Sequence, residues 1–317
     1  MDLFKIIETI AIRALSVTTV FFLITTLIFL LTTILFARKY KKAKTSKETD
    51  SEKIDIHATT VQSFCFDAVM MQNQGKREYQ QDSFYLSDKD DQALVTEKGV
   101  LAVVADGMGG LQDGKAISGI TVDVFKSLFK ESDVTDPHKF LTECIYRAET
   151  YVDEYMQSNS LKGGSTVVGA IVYRHYLYFV SVGDSNIFLI RKNKVTRLNR
   201  YHNYAAVLQS KVNQGKMTQQ EADTNPMRSR ITSFIGMGEV NEIDANAEPV
   251  LLHPDDVIIL CSDGVSNALG DDAIVNLIHA GDFASLGERM EDSILRQNIR
   301  NQDNFSAVMI HCKDIIN

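Results

Sequence analysis

Residues 100–110 read VLAVVADGMGG, six apolar residues running without interruption into Asp-Gly, and this stretch decides what fold the chain can form. A short run of Val, Leu and Ala bounded by turn residues predicts a buried strand, Val100–Ala105, emptying at Asp106-Gly107 into a turn. An aspartate set directly after a buried strand is costly unless a turn, a cation or a polar partner compensates it. The pattern recurs in ILCSDG at 259–264, which places Asp263 in the same position.

Outward from this strand the periodicity changes. Ala116, Ile117, Ile120, Val124 and Leu128 fall on one helical face. A second helix opens at Asp136-Pro137, a capping residue with proline at the first helical position, and carries Phe140, Leu141, Cys144, Ile145, Ala148 and Val152 at helical spacing. Thr166 to Leu198 reads as a meander rich in Val, Ile, Tyr and Phe, broken at Arg174-His175, Gly183-Asp184 and Lys192-Asn193. Its short connections predict antiparallel pairing. Residues 201–226 are polar and partly helical, with a capping box at Thr218 and Glu221, and read as a flap-like insertion. Strand signals return at Val257–Cys261 and Phe305–Ile310, with helices at Ala273–Ile278 and Leu286–Leu295 between them. Strands at the centre and helices in two blocks predict an α+β fold, an antiparallel β-sandwich flanked by helices on both sides.

Four aspartates stand where strands begin or end: Asp82 in QQDSF, Asp106, Asp263, and Asp303 in RNQDNFS. Taken singly, each is an ordinary turn residue. Together at one end of a sheet they form an oxygen-donor set, which suits Mg or Mn rather than Zn. The seven histidines form no HxxxH or HExxH pair, and none is assigned to catalysis. No GxxxxGK[ST], GxSxG or GxGxxG occurs, so nucleotide binding and serine hydrolysis have no support. Four scattered cysteines, without a CxxC pair, read as buried thiols in a reducing compartment.

The chain has 317 residues, 44% of them hydrophobic, enough for a sizeable core. Residues 1–50 hold eight Lys and Arg against four Asp and Glu, which leaves 25 basic and 37 acidic residues, −12, in the remainder. So acidic a body does not suit nucleic acid. After a tail, 1–13, the 24 residues from Ala14 to Ala37 carry no charge, enough to cross a bilayer core of about 30 Å as one transmembrane helix. The basic cluster Arg38, Lys39, Lys41, Lys42, Lys44 and Lys47 follows it, so the positive-inside rule predicts a single-pass membrane protein with a cytoplasmic body. A basic and polar linker, 38–60, then leads to a domain spanning 61–317.

The ordered series GKREYQQDS, VADGMGG, GGSTVVGA, VSVGDSNIFLI, SRITSFIG, LCSDGVSNAL and RNQDNFSAVMI, spread from about Val61 to Cys312, resembles the PPM or PP2C family of metal-dependent protein serine/threonine phosphatases, in its bacterial style. The resemblance implies two Mn or Mg ions, with a place for a third. It implies that Asp106 bridges both ions, that the Gly107 carbonyl binds one, and that Asp263 and Asp303 complete the set. Asp82 would act through bound water, Asp184 would help hold the third ion, and Arg77 would hold the substrate phosphate. The implied reaction is attack of a metal-bridging hydroxide on phosphoserine or phosphothreonine, with phosphoprotein targets of a Ser/Thr kinase as substrates and the bacterial inner membrane as location. Departures from the family pattern stand at Gln80, Met108, Leu111, Lys115 and Tyr201. The alternative they raise is a catalytically weak or inactive scaffold of the same fold.

Overall fold

The computed structural model describes residues 66–110 and 113–313. The expected tail, span and linker, together with Cys65 and Leu111, lie outside the described residues. Among the described residues no helix is long and apolar enough to cross a membrane.

In chain order the elements are β1 (Phe66–Asn73), β2 (Asp82–Leu86), α1 (Gln92–Lys98), β3 (Val100–Gly109), α2 (Asp113–Glu131), α3 (Pro137–Asn159), β4 (Gly163–Ser165), β5 (Val167–Tyr173), β6 (Tyr176–Val182), β7 (Asn186–Arg191) and β8 (Lys194–Arg197). There follow α4 (Tyr204–Asn213), α5 (Gln219–Asp223), β9 (Asp244–Ala245), β10 (Val250–Leu251), β11 (Val257–Cys261), α6 (Asp263–Ser266), α7 (Asp271–His279), α8 (Leu286–Arg296) and β12 (Phe305–Cys312). One sheet has the order β1-β12-β11-β7-β8. The other runs β10-β6-β5-β3-β2, with β4 beside β3 and β9 beside β6. Every pairing between the named strands is antiparallel.

The alternation within β3 builds two cores at once. Val100, Ala102 and Val104 turn to the interior between the sheets, where they meet Val168, Ala170, Ile258, Leu260, Val308 and Ile310. Leu101, Val103 and Ala105 turn to the opposite face, against Phe125 and Phe129 of α2 and Leu141 and Ile145 of α3. The other sheet does the same: Ile259, Cys261, Ala307 and Met309 pack on Met290 and Ile294 of α8. The unbroken apolar run in β3 thus reflects burial on both faces, each such side chain contributing about 1.5–3 kcal/mol. The observed sandwich with helices on both outer faces agrees with the expected α+β class.

Two expectations need correction. The strand does not end at Ala105, and Asp106-Gly107 is not a turn: β3 continues to Gly109, and Asp106 lies opposite Asp82 in the ladder with β2. Beyond it Gly107 pairs with Ser165 of β4, a strand of Gly-Gly-Ser too short and apolar-poor to signal itself. Likewise β6 and β7 do not pair with each other across Gly183-Asp184, because the chain crosses there from one sheet to the other. The turns at Arg174 and at Lys192-Asn193 do close hairpins, each through left-handed backbone. The Thr218 capping box forms as expected: Thr218 N donates to Glu221 Oε2 at 2.8 Å and Glu221 N donates to Thr218 Oγ1 at 3.2 Å.

Candidate active site

The sandwich brings the ends of β2, β3, β11 and β12 together, and with them Asp82, Asp106, Asp263 and Asp303. Asp82 opens β2 and is fully buried. Ser262 Oγ donates to its Oδ2 at 2.8 Å, and Ser262 is itself held by Ser306 N, which donates to Ser262 Oγ at 3.0 Å. Asp263 begins α6 and accepts from Asn267 Nδ2 at 3.1 Å. Asp303 precedes β12, where Asn304 N donates to its Oδ1 at 2.9 Å. Asp184 sits in the crossing between β6 and β7.

The carboxyl groups also act on one another through their charges. Burial raises the pKa of Asp106 well above the ordinary carboxylate range, and the charges of Asp82, Asp263, Asp303 and Asp184 raise it further. Burial also pushes Asp82 up to about 6, with Asp263 and Asp303 adding to it against the hydrogen bonds from Ser262 and Ser306. Asp184 is likewise pushed up to about 6, by burial first and then by Asp263. Burial and the Asp303 charge raise Asp263, against Asn267 and Arg77.

Arg77 is where the sequence reading and the structure diverge in detail. Its guanidinium donates to Asp303 Oδ2 at 2.6 Å, so the residue expected to hold phosphate is bonded to a carboxylate expected to hold metal. The hydrogen bond and charge of Asp303 raise the pKa of Arg77, with smaller contributions from Asp106 and Asp263. Among the described residues no three His, Cys, Asp or Glu side chains stand together closely enough to grip a cation.

The donor chemistry nonetheless fits a hard divalent ion. The side chains offered are all carboxylates, they repel one another, and two buried oxygens, Asp82 Oδ1 and Asp263 Oδ1, have no hydrogen-bond partner. Buried carboxylates left in that condition are compensated by oxygen-seeking cations such as Mg or Mn.

Several supporting residues were not anticipated. Asn304 clamps the loop that carries Arg77: its Nδ2 donates to Gln74 O at 2.8 Å and Tyr79 O at 3.0 Å, and its Oδ1 accepts from Gln81 N at 2.8 Å. Ser165 Oγ donates to Asp106 O at 3.1 Å, and Thr166 Oγ1 accepts from Asp106 N at 3.3 Å. Their signal was polarity within otherwise apolar strands, as in DNFSAV and GGSTVV. The departures find partners as well. Gln80 Oε1 accepts from Asp82 N at 2.9 Å, Lys115 Nζ donates to Asp82 O at 2.6 Å, and the Tyr201 hydroxyl donates to Asn186 Oδ1 at 2.7 Å.

Residues 72–303 match the family described as protein phosphatase 2C. A protein phosphatase 2C-type protein of Streptococcus pyogenes is 30% identical over 221 residues, covering 68% of this chain and 87% of that relative. A serine/threonine phosphatase, stp, of Listeria welshimeri is 25% identical, covering 70% and 86%. The fold is similar to the serine/threonine phosphatase structure of S. agalactiae, with a TM-score of 0.66, 24% identity, and coverage of 78% of this chain and 100% of that one. It is also similar to the catalytic domain of PstP in complex with two manganese ions, with a TM-score of 0.63, 21% identity, and coverage of 80% and 100%.

Proposed function

The chain belongs to the protein phosphatase 2C family, and from that premise we propose that it hydrolyses phosphoserine and phosphothreonine of phosphoproteins at the carboxylate cluster around Asp106. It is a protein serine/threonine phosphatase of the 2C type. The observation that carries the site assignment is the facing of Asp82 and Asp106 across the β2–β3 ladder, with Asp82 Oδ1 and Asp263 Oδ1 buried and without a hydrogen-bond partner.

Asp106, the Gly107 carbonyl, Asp263 and Asp303 would hold two Mn or Mg ions, with Asp82 acting through water and Asp184 available to a third. When bound, such ions lower the pKa of water and neutralise charge on phosphoryl oxygens. The protein's own contribution is placement. Ser262 and Ser306 fix the rotamer of Asp82. Ser165 and Thr166 fix the backbone of Asp106. Asn304 fixes the loop of Arg77, whose guanidinium, bonded to Asp303 through one nitrogen, would offer its remaining donors to a phosphate. No histidine is assigned to the proton carried by the leaving alkoxide, which solvent would supply.

We also propose that the chain is anchored by residues 14–37 with its catalytic body in the cytoplasm. The uncharged span and the basic cluster after it support this reading.

Full-length protein in detergent should turn over an aryl phosphate and phosphoserine peptides with Mn. Asp106→Asn and Asp263→Asn should each lower kcat by about 100-fold or more, the scale of losing a metal-held reaction centre. Turnover by the parent that survives exhaustive chelation, or variants with unchanged kcat, would refute the assignment.

A further inference from the structure

A groove of about 1360 Å³ opens along α4, lined also by the segment leading into it and by Arg228 and Asn241 to Ile243. Its charged lining is Arg197, Arg200, Lys211, Lys216 and Arg228 against Glu242 alone. On a body whose sequence carries a net −12, five cations facing one carboxylate are a local inversion of charge. Two of the five are committed: Arg200 pairs with Asp244 at 3.0 Å and Arg228 with Asp223 at 2.6 Å. The other three have no carboxylate partner among the described ion pairs. Arg197 lies 3.7 Å from the centroid of the Tyr201 ring, and Lys211 lies 5.6 Å from that of Tyr204. An aromatic face orients a cation without neutralising it.

Two residues of the groove wall are tied to the segment that carries Asp184. Tyr201 and His202 line the groove; His202 is bonded to Gly183, just before Asp184, and Tyr201 to Asn186, two residues after it. His202 N donates to Gly183 O at 2.9 Å, Gly183 N donates to His202 Nδ1 at 3.2 Å, and the Tyr201 hydroxyl bonds Asn186. A peptide with its phosphorylated residue at the Asp106 cluster and its chain extending past Asp184 would reach these cations.

We propose that this groove receives an acidic stretch flanking the phosphorylated residue, so that the phosphatase selects phosphoproteins whose sites are set among Asp and Glu. The proposal rests on the phosphatase reading above and adds the substrate class. Exposed charges of this kind act through steering and modest pairwise attraction, so the preference belongs in KM and weakens with salt.

The test uses the full-length protein in detergent with Mn and three substrates: an aryl phosphate, a phosphoserine peptide flanked by Asp and Glu, and the same peptide with Ser and Gln in their place. Lys211→Gln with Lys216→Gln should raise KM for the acidic peptide about three- to tenfold, within the range of one or two exposed ion pairs. kcat should hold, and the neutral peptide and aryl phosphate should be unaffected. Lys211→Glu with Lys216→Glu should widen the gap, and raising salt should close it in the parent. A parent with no preference for the acidic peptide, or variants that change both peptides alike, would overturn the proposal. Failure of the parent on the aryl phosphate would instead overturn the phosphatase reading, and the groove assignment with it.

Discussion

At the residue scale, Lys115 shows how one side chain can tune a charged cluster without belonging to it. Its ammonium donates to Asp82 O at 2.6 Å and to Ser83 Oγ at 3.1 Å, and burial lowers its pKa against the raising effect of Asp82. A fixed cation there offsets part of the carboxylates' repulsion and opposes any cation they would hold. Lys115→Met keeps the stem and removes the charge, while Asp82 O retains Gln72 Nε2 as a donor at 3.2 Å. Calorimetric titration with Mn should then show binding tightened about three- to tenfold, as expected of about 1 kcal/mol of relieved repulsion in a partly solvated site. Unchanged or weaker binding would mean that the Lys115 charge does not reach the ions. The Asp106-Gly107 and Asp263-Gly264 pairs share a second constraint at this scale. A Cβ on Gly107 would stand 2.0 Å from Gly114 O, and one on Gly264 would stand 2.1 Å from Asn304 O. Neither glycine has a positive φ, so close backbone approach, not turn geometry, explains why each follows its aspartate.

At the element scale, the segment around residues 232–238 shows how a helix remote from the carboxylates reaches them. Ile235 exchanges backbone hydrogen bonds of 2.9 and 2.8 Å with Ser165, the residue whose hydroxyl bonds Asp106 O. The segment is held in turn by Glu149 of α3, which accepts from Gly236 N at 2.6 Å and Gly238 N at 2.7 Å. Glu149→Ala would leave two N–H groups without acceptors and should destabilise the fold by about 2–4 kcal/mol in denaturant unfolding. Burial raises the Glu149 pKa, outweighing the lowering effect of those two N–H donors. The native state therefore binds this proton more tightly than the unfolded chain. Its contribution is fully present below the ordinary carboxylate pKa and is lost as pH rises through the raised value. Glu149→Gln cannot titrate, so its unfolding free energy should be flatter across that window than the parent's; parallel pH profiles would contradict this. None of this clamp was legible in the sequence, because Glu149 sits 87 residues from Gly236 and reads as one more polar helical position. The β3 strand, the two long helices and the hairpin turns were legible, since periodicity and turn chemistry are local. Residues such as Ser262, Asn304 and Ser306 were not, because a buried polar side chain declares its partner only once distant strands are brought together.

At the scale of the whole molecule, the acidic body and the basic segment 38–47 divide the chain into parts with opposite preferences for an anionic surface. A body at −12 is repelled by anionic headgroups, so on its own it should remain in solution. On the proposed anchoring, insertion of residues 14–37 would override that repulsion and keep the body's encounters at the membrane. Tethering changes encounter frequency and leaves the chemistry alone. Full-length protein reconstituted in vesicles and the fragment 61–317 should therefore share one kcat/KM on a soluble aryl phosphate. On a phosphopeptide displayed from the same vesicles the full chain should be faster by roughly tenfold or more, the gain expected when a bimolecular search becomes a local one. Equal rates on the displayed peptide, or recovery of the full chain from vesicles by an alkaline wash, would remove the anchor from the account and leave the carboxylate cluster and its cationic groove acting in solution.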